Sequence, residues 1–309
     1  MVNCMSNMKL KSILTIGNLT IDKIVLPNKG VKYPVIGGPP AYIGAIASRM
    51  NFRTYTCSSI GEDYPAQFLT ALKEMNIVIN LGGSPGLCKE TTAFEIVYDA
   101  NFSRYLKLIR RGCTIDKSQV RQVIEEVRPE IGIISPVINE IKLSEIEHLV
   151  KEIKFLGLDM QGFLRDVDDE NKIYMKKIDE RIISILNDLH LNVLKIADDE
   201  AQVLLSHFNE SSRAFTFLSE IFPNVKIIIV SLGDQGVIVL KDQKQIKVPS
   251  WHVEQVINPT GAGDVLLGAF MIKYYFSKNL ISSIEFACKI AAESVKYFDP
   301  IEINSKIII

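Results

Sequence analysis

Asn258-Pro259-Thr260-Gly261-Ala262-Gly263-Asp264 runs straight into the apolar stretch Val265-Leu266-Leu267-Gly268-Ala269-Phe270-Met271. Three small residues in a row leave backbone N–H groups uncovered where a helix is set to begin. A helix N-terminus with bare amides attracts anions, because the aligned peptide dipoles place roughly half a positive charge there. Asp264 is out of place beside a bound anion alone. It makes sense if the amides hold a phosphoryl group and Asp264 takes a proton from the hydroxyl that attacks it. A glycine turn with an aspartate cap on a buried helix accounts for the same seven residues, and the segment by itself does not choose between the two.

The rest of the chain supplies a framework. Ile131-Gly132-Ile133-Ile134 reads as a strand, Leu143 to Ile153 as a helix and Phe155 to Asp159 as a strand. Ile173 to Leu189 reads as a helix, Val193 to Ile196 as a strand and Asp199 to His207 as a helix. The apolar run Val225 to Val230 is expected of a strand buried on both faces. This alternation predicts an α/β fold with a mostly parallel sheet and helices on both sides. Ser282 and Glu285 form a capping-box pattern ahead of a core stripe at Ala287, Cys288, Ala291, Ala292 and Val295. Two early segments break the rhythm: Ile21 to Val31, and Thr91 to Tyr98 with Tyr105 to Leu108, read as strands with no helix between them. Pattern alone leaves open whether they edge the main sheet or form a sheet of their own.

Composition bounds the function. The chain has 309 residues, 47% of them hydrophobic, which is ample for a large core. A net charge of −1 lacks the basic stripe of a nucleic-acid or membrane-surface protein. Met1 to Ser12 lacks the apolar run of roughly 7–15 residues that a secretory leader carries. No segment approaches the ~20 apolar residues that span a bilayer. Cys4, Cys57, Cys88, Cys113 and Cys288 are scattered and never in C-x-x-C spacing, so they are expected to be buried thiols in a reducing compartment. The four histidines show no ligand spacing. A cytoplasmic protein is expected.

Four motifs occur in order: Gly37-Gly38 before Pro39-Pro40-Ala41-Tyr42, Gly61-Glu62-Asp63, Ser231-Leu232-Gly233-Asp234-Gln235-Gly236-Val237, and Thr260-Gly261-Ala262-Gly263-Asp264. In that order and spacing the chain resembles the ribokinase-like (PfkB-type) carbohydrate and nucleoside kinases, from about residue 16 to 294. The resemblance implies one three-layer α/β/α domain over 1–309 with a small β lid within about 18–36 and 89–110. It implies transfer of the ATP γ-phosphate, with Mg2+, to a hydroxyl of a small sugar, polyol or nucleoside. The lid is also a candidate surface for a homodimer.

The resemblance assigns roles residue by residue. Asp264 is the base, and the amides of Gly261, Ala262 and Gly263 are the anion hole. Asn18 and Asp22 stand at the family's first strand end, where a carboxylate grips the sugar. Gly37 and Gly38 let the acceptor approach the backbone; a solvated turn is the other reading of Asp22. Tyr42 departs from the Asn found in many sugar kinases, and either contributes its hydroxyl or ring or fills core. Arg165, after Asp159-Met160-Gln161-Gly162-Phe163-Leu164, either neutralises phosphate charge or makes a surface salt bridge. Ser231, Gly233, Gly236, Thr260 and Ala291 border the nucleotide, with Ala292 leaving room beside adenine. Ala197-Asp198-Asp199-Glu200 matches an Asn-x-x-Glu motif; Glu200 orders water around Mg2+, or is part of an acidic first helical turn. Asn258 replaces an Asp that binds K+ in some members, which leaves monovalent activation open.

Two rivals remain. One is a non-catalytic relative that binds sugar or nucleotide and regulates something else, favoured by the departures at Tyr42, Ala197 and Asn258. A degenerate site, however, has no use for Asp264. The other, a nicotinamide dehydrogenase, needs G-x-G-x-x-G after the first strand, and Gly17-Asn18-Leu19-Thr20-Ile21-Asp22 does not supply it.

Overall fold

The computed structural model describes residues 11–27, 30–80, 88–208, 215–307 and 309. The strands in the first half are β1 (Lys11–Ile16), β2 (Thr20–Leu26), β3 (Gly30–Gly37), β4 (Phe52–Cys57), β5 (Ile77–Asn80), β6 (Ala93–Tyr98) and β7 (Arg104–Arg110). Then come β8 (Ile131–Ile134), β9 (Phe155–Asp159), β10 (Arg165–Val167), β11 (Ile173–Met175) and β12 (Val193–Ala197). The last are β13 (Ile228–Ser231), β14 (Val237–Lys241) and β15 (Lys244–Val248). Nine of them form one sheet in the order β15-β14-β13-β12-β9-β8-β1-β4-β5, parallel except at the β13-β14-β15 edge.

Successive side chains of a strand point to opposite faces, and the core divides accordingly. Ile13, Ile131, Phe155 and Ile229 face the helices Pro39–Arg49, Ala262–Ser277 and Leu280–Ser294. Their neighbours Leu14, Ile134, Leu156 and Val230 face the helices Lys117–Val127, Leu143–Val150 and Asp198–His207. This is the three-layer α/β/α arrangement. The early strands form a separate sheet, β3-β2-β6-β7, made of two antiparallel hairpins joined by a parallel β2–β6 pair. Its inner face packs Ile24, Phe94, Ile96 and Tyr98 against Val137, Ile138 and Phe298. Its outer face leaves Val31, Tyr33, Tyr105 and Ile109 exposed.

Three expectations are corrected. Residues 173–189 are not one helix: Ile173–Met175 pairs with β10 as a hairpin, and the helix starts at Glu180, where the Asp179 side chain caps the Arg181 amide. The final long helix begins at Leu280 with Asn279 as its cap, so Ser282 and Glu285 lie inside it. Cys88 and Cys113 are not free thiols; they are joined in a disulfide with Cα atoms 5.7 Å apart. That bond closes the base of the β6–β7 hairpin. Cys57 and Cys288 are free and buried, while Cys4 and most of the Met1–Ser12 segment lie outside the described residues. Among the described residues, no helix is long and apolar enough to cross a membrane.

The pairing has a direct test. Native protein unfolded in denaturant without reductant should leave Cys88 and Cys113 unalkylated, and both should label after reduction. Labelling of both before reduction refutes the bond.

Candidate active site

The chain leaves β1 for β4 on one side, and β8 leads to β9, β12 and β13 on the other. A crevice therefore opens at the carboxyl ends of these strands, where open α/β sheets bind ligands. Asp159 and Ala197 end β9 and β12, and Gly17-Asn18 follows β1. The lid lies over this edge.

The anion turn is built as its residues require. Gly261 caps the Ala262–Ser277 helix in the left-handed conformation, at φ 79°. A Cβ there would also overlap the ring of Tyr42, so only glycine fits. The turn is held from behind: Asn258 Oδ1 accepts from Thr260 N (3.1 Å) and Thr260 Oγ1 (2.7 Å), and Asn258 Nδ2 donates to the Phe298 carbonyl (2.7 Å). The Ala262 amide makes a long contact with the Pro259 carbonyl, 3.3 Å. Asp264 sits in the first turn of the helix. Burial pushes its pKa up to about 7, and Asp159 adds to the rise, while Lys195, Arg165 and Arg104 oppose it. A carboxyl poised near neutrality suits a general base.

Asp22 lies on β2, 3% exposed, so it is not a solvated turn residue. Its Oδ1 has no hydrogen-bond partner. Burial pushes its pKa up to about 7 against hydrogen bonds from Thr20 and the Phe94 backbone. A Cβ on Gly37 would fall on the Asp22 carboxylate, and one on Gly38 (φ 88°) would fall on the Asn18 carbonyl. Both glycines are thus set by close approach. Tyr42 is fully buried with an unpartnered hydroxyl. Burial raises its pKa, and the nearby Asp22, Tyr98, Asp264 and Asp299 add to the rise. Asn18 is placed differently: its Oδ1 accepts from Ser59 N (2.8 Å), and its Nδ2 donates to Cys113 O (3.2 Å). It braces the lid root.

A charge cluster occupies the other half of the crevice. Lys195 Nζ meets Asp159 Oδ2 at 2.8 Å, both side chains buried. Burial works against the ammonium, but Asp159, Glu200 and Asp264 hold its pKa above the ordinary value. A Cβ on Gly263 would come within 2.9 Å of Lys195 Nζ, which puts this cation directly behind the anion turn. Arg165 is buried and donates to Val137 O (3.2 Å) and Gln161 Oε1 (3.0 Å), so it is no surface salt bridge. Burial and then Arg104 pull its pKa down. Neither Lys195 nor Arg104 was singled out above. Lys195 leaves a signal, a lone charge in the buried run Val193-Leu194-Lys195-Ile196-Ala197; Arg104 leaves none.

Glu200 is buried and accepts from Ala197 N (2.7 Å). Burial raises its pKa against the pull of Lys195. With one oxygen taken and a buried cation beside it, Glu200 fits an outer-sphere role toward Mg2+, through water. Among the described residues, no group of three or more His, Cys, Asp or Glu could hold a metal ion. The residues fit K+ poorly: Asn258 carries no charge, its oxygen already accepts two hydrogen bonds, and its nitrogen donates to a carbonyl. On the nucleotide side, Ser231 aligns with Ala197 across β12–β13. Gly233 is exposed in the next turn, while Gly236, at φ 92°, is buried against the Val248 carbonyl. Ala291 is half-buried on the Leu280–Ser294 helix, one turn before Val295, whose carbonyl accepts from Asn258 N (3.0 Å).

A helix N-terminus cleared by glycine, a carboxyl near pKa 7 and buried charges of both signs thus meet at the strand ends of an α/β/α fold. Residues 23–307 match the pfkB family of carbohydrate kinases, and the chain belongs to that family. It is 21% identical over 286 residues to a cytidine kinase of Thermococcus kodakarensis, covering 92% of this chain and 96% of the relative. It superimposes on a pyrophosphate-dependent kinase of the ribokinase family, solved as a sulfate complex, with TM-score 0.74 and 22% identity over 94% of this chain and 98% of that one. For a ribokinase of Thermotoga maritima the TM-score is 0.67 at 21% identity, with 95% of each chain covered. The fold is ribokinase-like.

The Asp22 environment predicts a stability effect. Its pKa is higher folded than unfolded, so the folded state binds more protons and stability falls as pH rises from about 4 to 7. Asp22→Asn removes the buried charge. The ligand-free variant should melt several degrees higher than wild type at pH 8 and lose that advantage near pH 4. A lower Tm at pH 8 would show that the carboxylate is stabilised by partners.

Proposed function

We propose that the protein transfers the γ-phosphate of ATP to a hydroxyl of a small sugar, polyol or nucleoside. The observation that carries the reading is Asp264, a carboxyl held near pKa 7 in the first turn of a helix whose N-terminus is cleared by Gly261 and Gly263. Phosphoryl transfer needs an in-line acceptor, a base and positive potential around the moving group. Asp22 and the Tyr42 hydroxyl, both buried with open hydrogen-bonding capacity, hold the acceptor hydroxyls. Asp264 takes the proton of the attacking hydroxyl. The anion turn, Lys195 and Arg165 stabilise the charge on the transferring phosphoryl group. Bound Mg2+ supplies charge neutralisation at the donor phosphates, with Glu200 orienting its water.

A panel of sugars, inositols and nucleosides with ATP, read by ADP release, tests the reading. Tight binding of an acceptor and ATP without ADP release by any member of the panel would favour the non-catalytic relative. Asp264→Asn should lower kcat by ~10²–10⁴ and leave the Kd for ATP nearly unchanged. A variant keeping more than roughly a tenth of wild-type kcat removes Asp264 as the base. Because Asn258 is uncharged and its side-chain oxygen and nitrogen are already engaged, turnover should be the same within about twofold in sodium and in potassium salts. Strong potassium activation would show that the Asn258 loop binds a cation after all.

A further inference from the structure

The Cys88–Cys113 bond borders the acceptor side of the crevice, and phosphoryl transfer to a hydroxyl makes no use of it. From Cys88 the chain runs to Thr92, whose carbonyl accepts from Ile21 N (3.0 Å). Phe94 follows, aligned with Asp22 across the parallel β2–β6 pair, and its backbone N–H donates to the Asp22 carboxylate. On the other arm, the Cys113 carbonyl accepts from Asn18 Nδ2, and Gly112 N donates to Thr92 Oγ1 (3.1 Å). A Cβ on Gly112 would lie 2.9 Å from Thr92 N, so the two arms touch here. The disulfide therefore clamps the stretch of backbone that supports Asp22.

The fold does not need a staple at this point. Cross-links are a necessity in domains too small to bury a core, whereas this chain buries apolar clusters on both faces of its main sheet. The arms of the hairpin are also held without the bond. Thr91 N donates to Asp63 Oδ1 (2.7 Å), Gly61 N donates to Thr91 Oγ1 (2.8 Å), and Arg110 pairs with Asp63 at 3.3 Å. The bond is within reach of solvent, because Cys113 is only half-buried, while the free thiols Cys57 and Cys288 are buried. Exposed disulfides are the ones that thiols open, since exchange requires access of a thiolate to sulfur. A bond that the fold can spare, open to attack and fastened beside a ligand carboxyl, has the placing of a control point.

We propose that Cys88–Cys113 is a thiol–disulfide switch on acceptor binding: closed, it holds the Thr92–Phe94 backbone against β2, and opened by a dithiol reductant, it frees that backbone and weakens the grip of Asp22 on the acceptor. This rests on the phosphotransfer reading in taking the Asp22 side as the acceptor site. In the step, a thiolate of the reductant attacks Sγ of Cys113, the S–S bond breaks, and Cys88 Sγ leaves with the electron pair. The second thiol of the reductant then attacks the mixed disulfide and releases Cys113. The dithiol is oxidised to its own disulfide, the protein bond gains two electrons, and each cysteine sulfur takes up a proton. An oxidised disulfide in the surroundings reverses the exchange.

The test compares wild type in its oxidised form, after dithiothreitol without denaturant, and after reoxidation with glutathione disulfide. Native reduction should make both cysteines available to iodoacetamide and leave the far-ultraviolet circular dichroism unchanged. Acceptor KM should rise about tenfold, the lower range for losing a hydrogen bond to a charged group, with the Kd for ATP changed less than about twofold. Reoxidation should restore the original KM. The double variant Cys88→Ser, Cys113→Ser should behave as the reduced form and ignore dithiothreitol. The proposal is overturned if the bond opens only in denaturant, or if reduction unfolds the protein, since the bond is then a staple. It is also overturned if acceptor KM stays within about twofold, if ATP binding weakens as much as acceptor binding, or if the double variant still responds to dithiothreitol. If no acceptor is turned over by the oxidised form, the phosphotransfer reading fails, and amide hydrogen exchange decides on the switch. Exchange at Ile21 and Phe94 at least about tenfold faster in the reduced native protein supports release of the backbone, and unchanged exchange refutes it.

Discussion

The ring of Tyr42 lies against the backbone of Gly261, at the one residue where the chain turns left-handed to enter the Ala262–Ser277 helix. A side chain at 261 would meet both a steric wall and an unfavourable φ, so the entry angle of that helix is set by packing from another helix. Tyr42 is fixed in turn, because its helix opens at Gly38, whose backbone approaches the Asn18 carbonyl too closely for any Cβ. Gly37 stands equally close to Asp22. Asp22, the two glycines, Tyr42 and the Gly261 turn thus form one run of close contacts.

The opposite wall of the crevice is electrostatic. Lys195, Arg165 and Arg104 face Asp159, Glu200 and Asp264, three charges of each sign in a partly buried space. Buried charges are tolerated when paired, and the Asp159–Lys195 contact is the innermost pair. Burial outweighs these cations at Asp264 and pushes its pKa up to about 7. A polyphosphate entering the crevice would draw the three cations toward itself and add negative charge near Asp264. Both changes would raise the basicity of the Asp264 carboxylate further.

What the sequence disclosed follows from how local each signal is. The anion turn, its helix and Asp264 lie within a few residues of one another, and the need for small residues there is chemical, so the segment is readable. The buried strands are readable because parallel strands covered on both faces become solid apolar runs. Ile173–Met175 misled because two lysines and the following apolar residues continue a helical spacing, whereas pairing with β10 decides the conformation. Cys88 and Cys113 carry no spacing signal, since their approach depends on how the lid hairpin closes. Lys195 could have been found, as a lone charge in a buried strand demands a partner. Arg104 could not, because its place depends on register with Tyr98 and on where Tyr98 lands.

The lid is held at its two ends. At the root, the Asn18 amide spans the Ser59 N–H and the Cys113 carbonyl, Thr92 Oγ1 accepts from Gly112 N (3.1 Å), and the Cys88–Cys113 bond ties the hairpin ends. At the tip, the Tyr98 hydroxyl meets the Thr260 hydroxyl of the Gly261 turn. Tyr98 is also buried in the apolar cluster with Val137, Ile138 and Phe298, so both ends of the hairpin are held. Thr260 Oγ1 is tied in turn to Asn258, so the lid and the brace of the Gly261 turn meet at one hydroxyl.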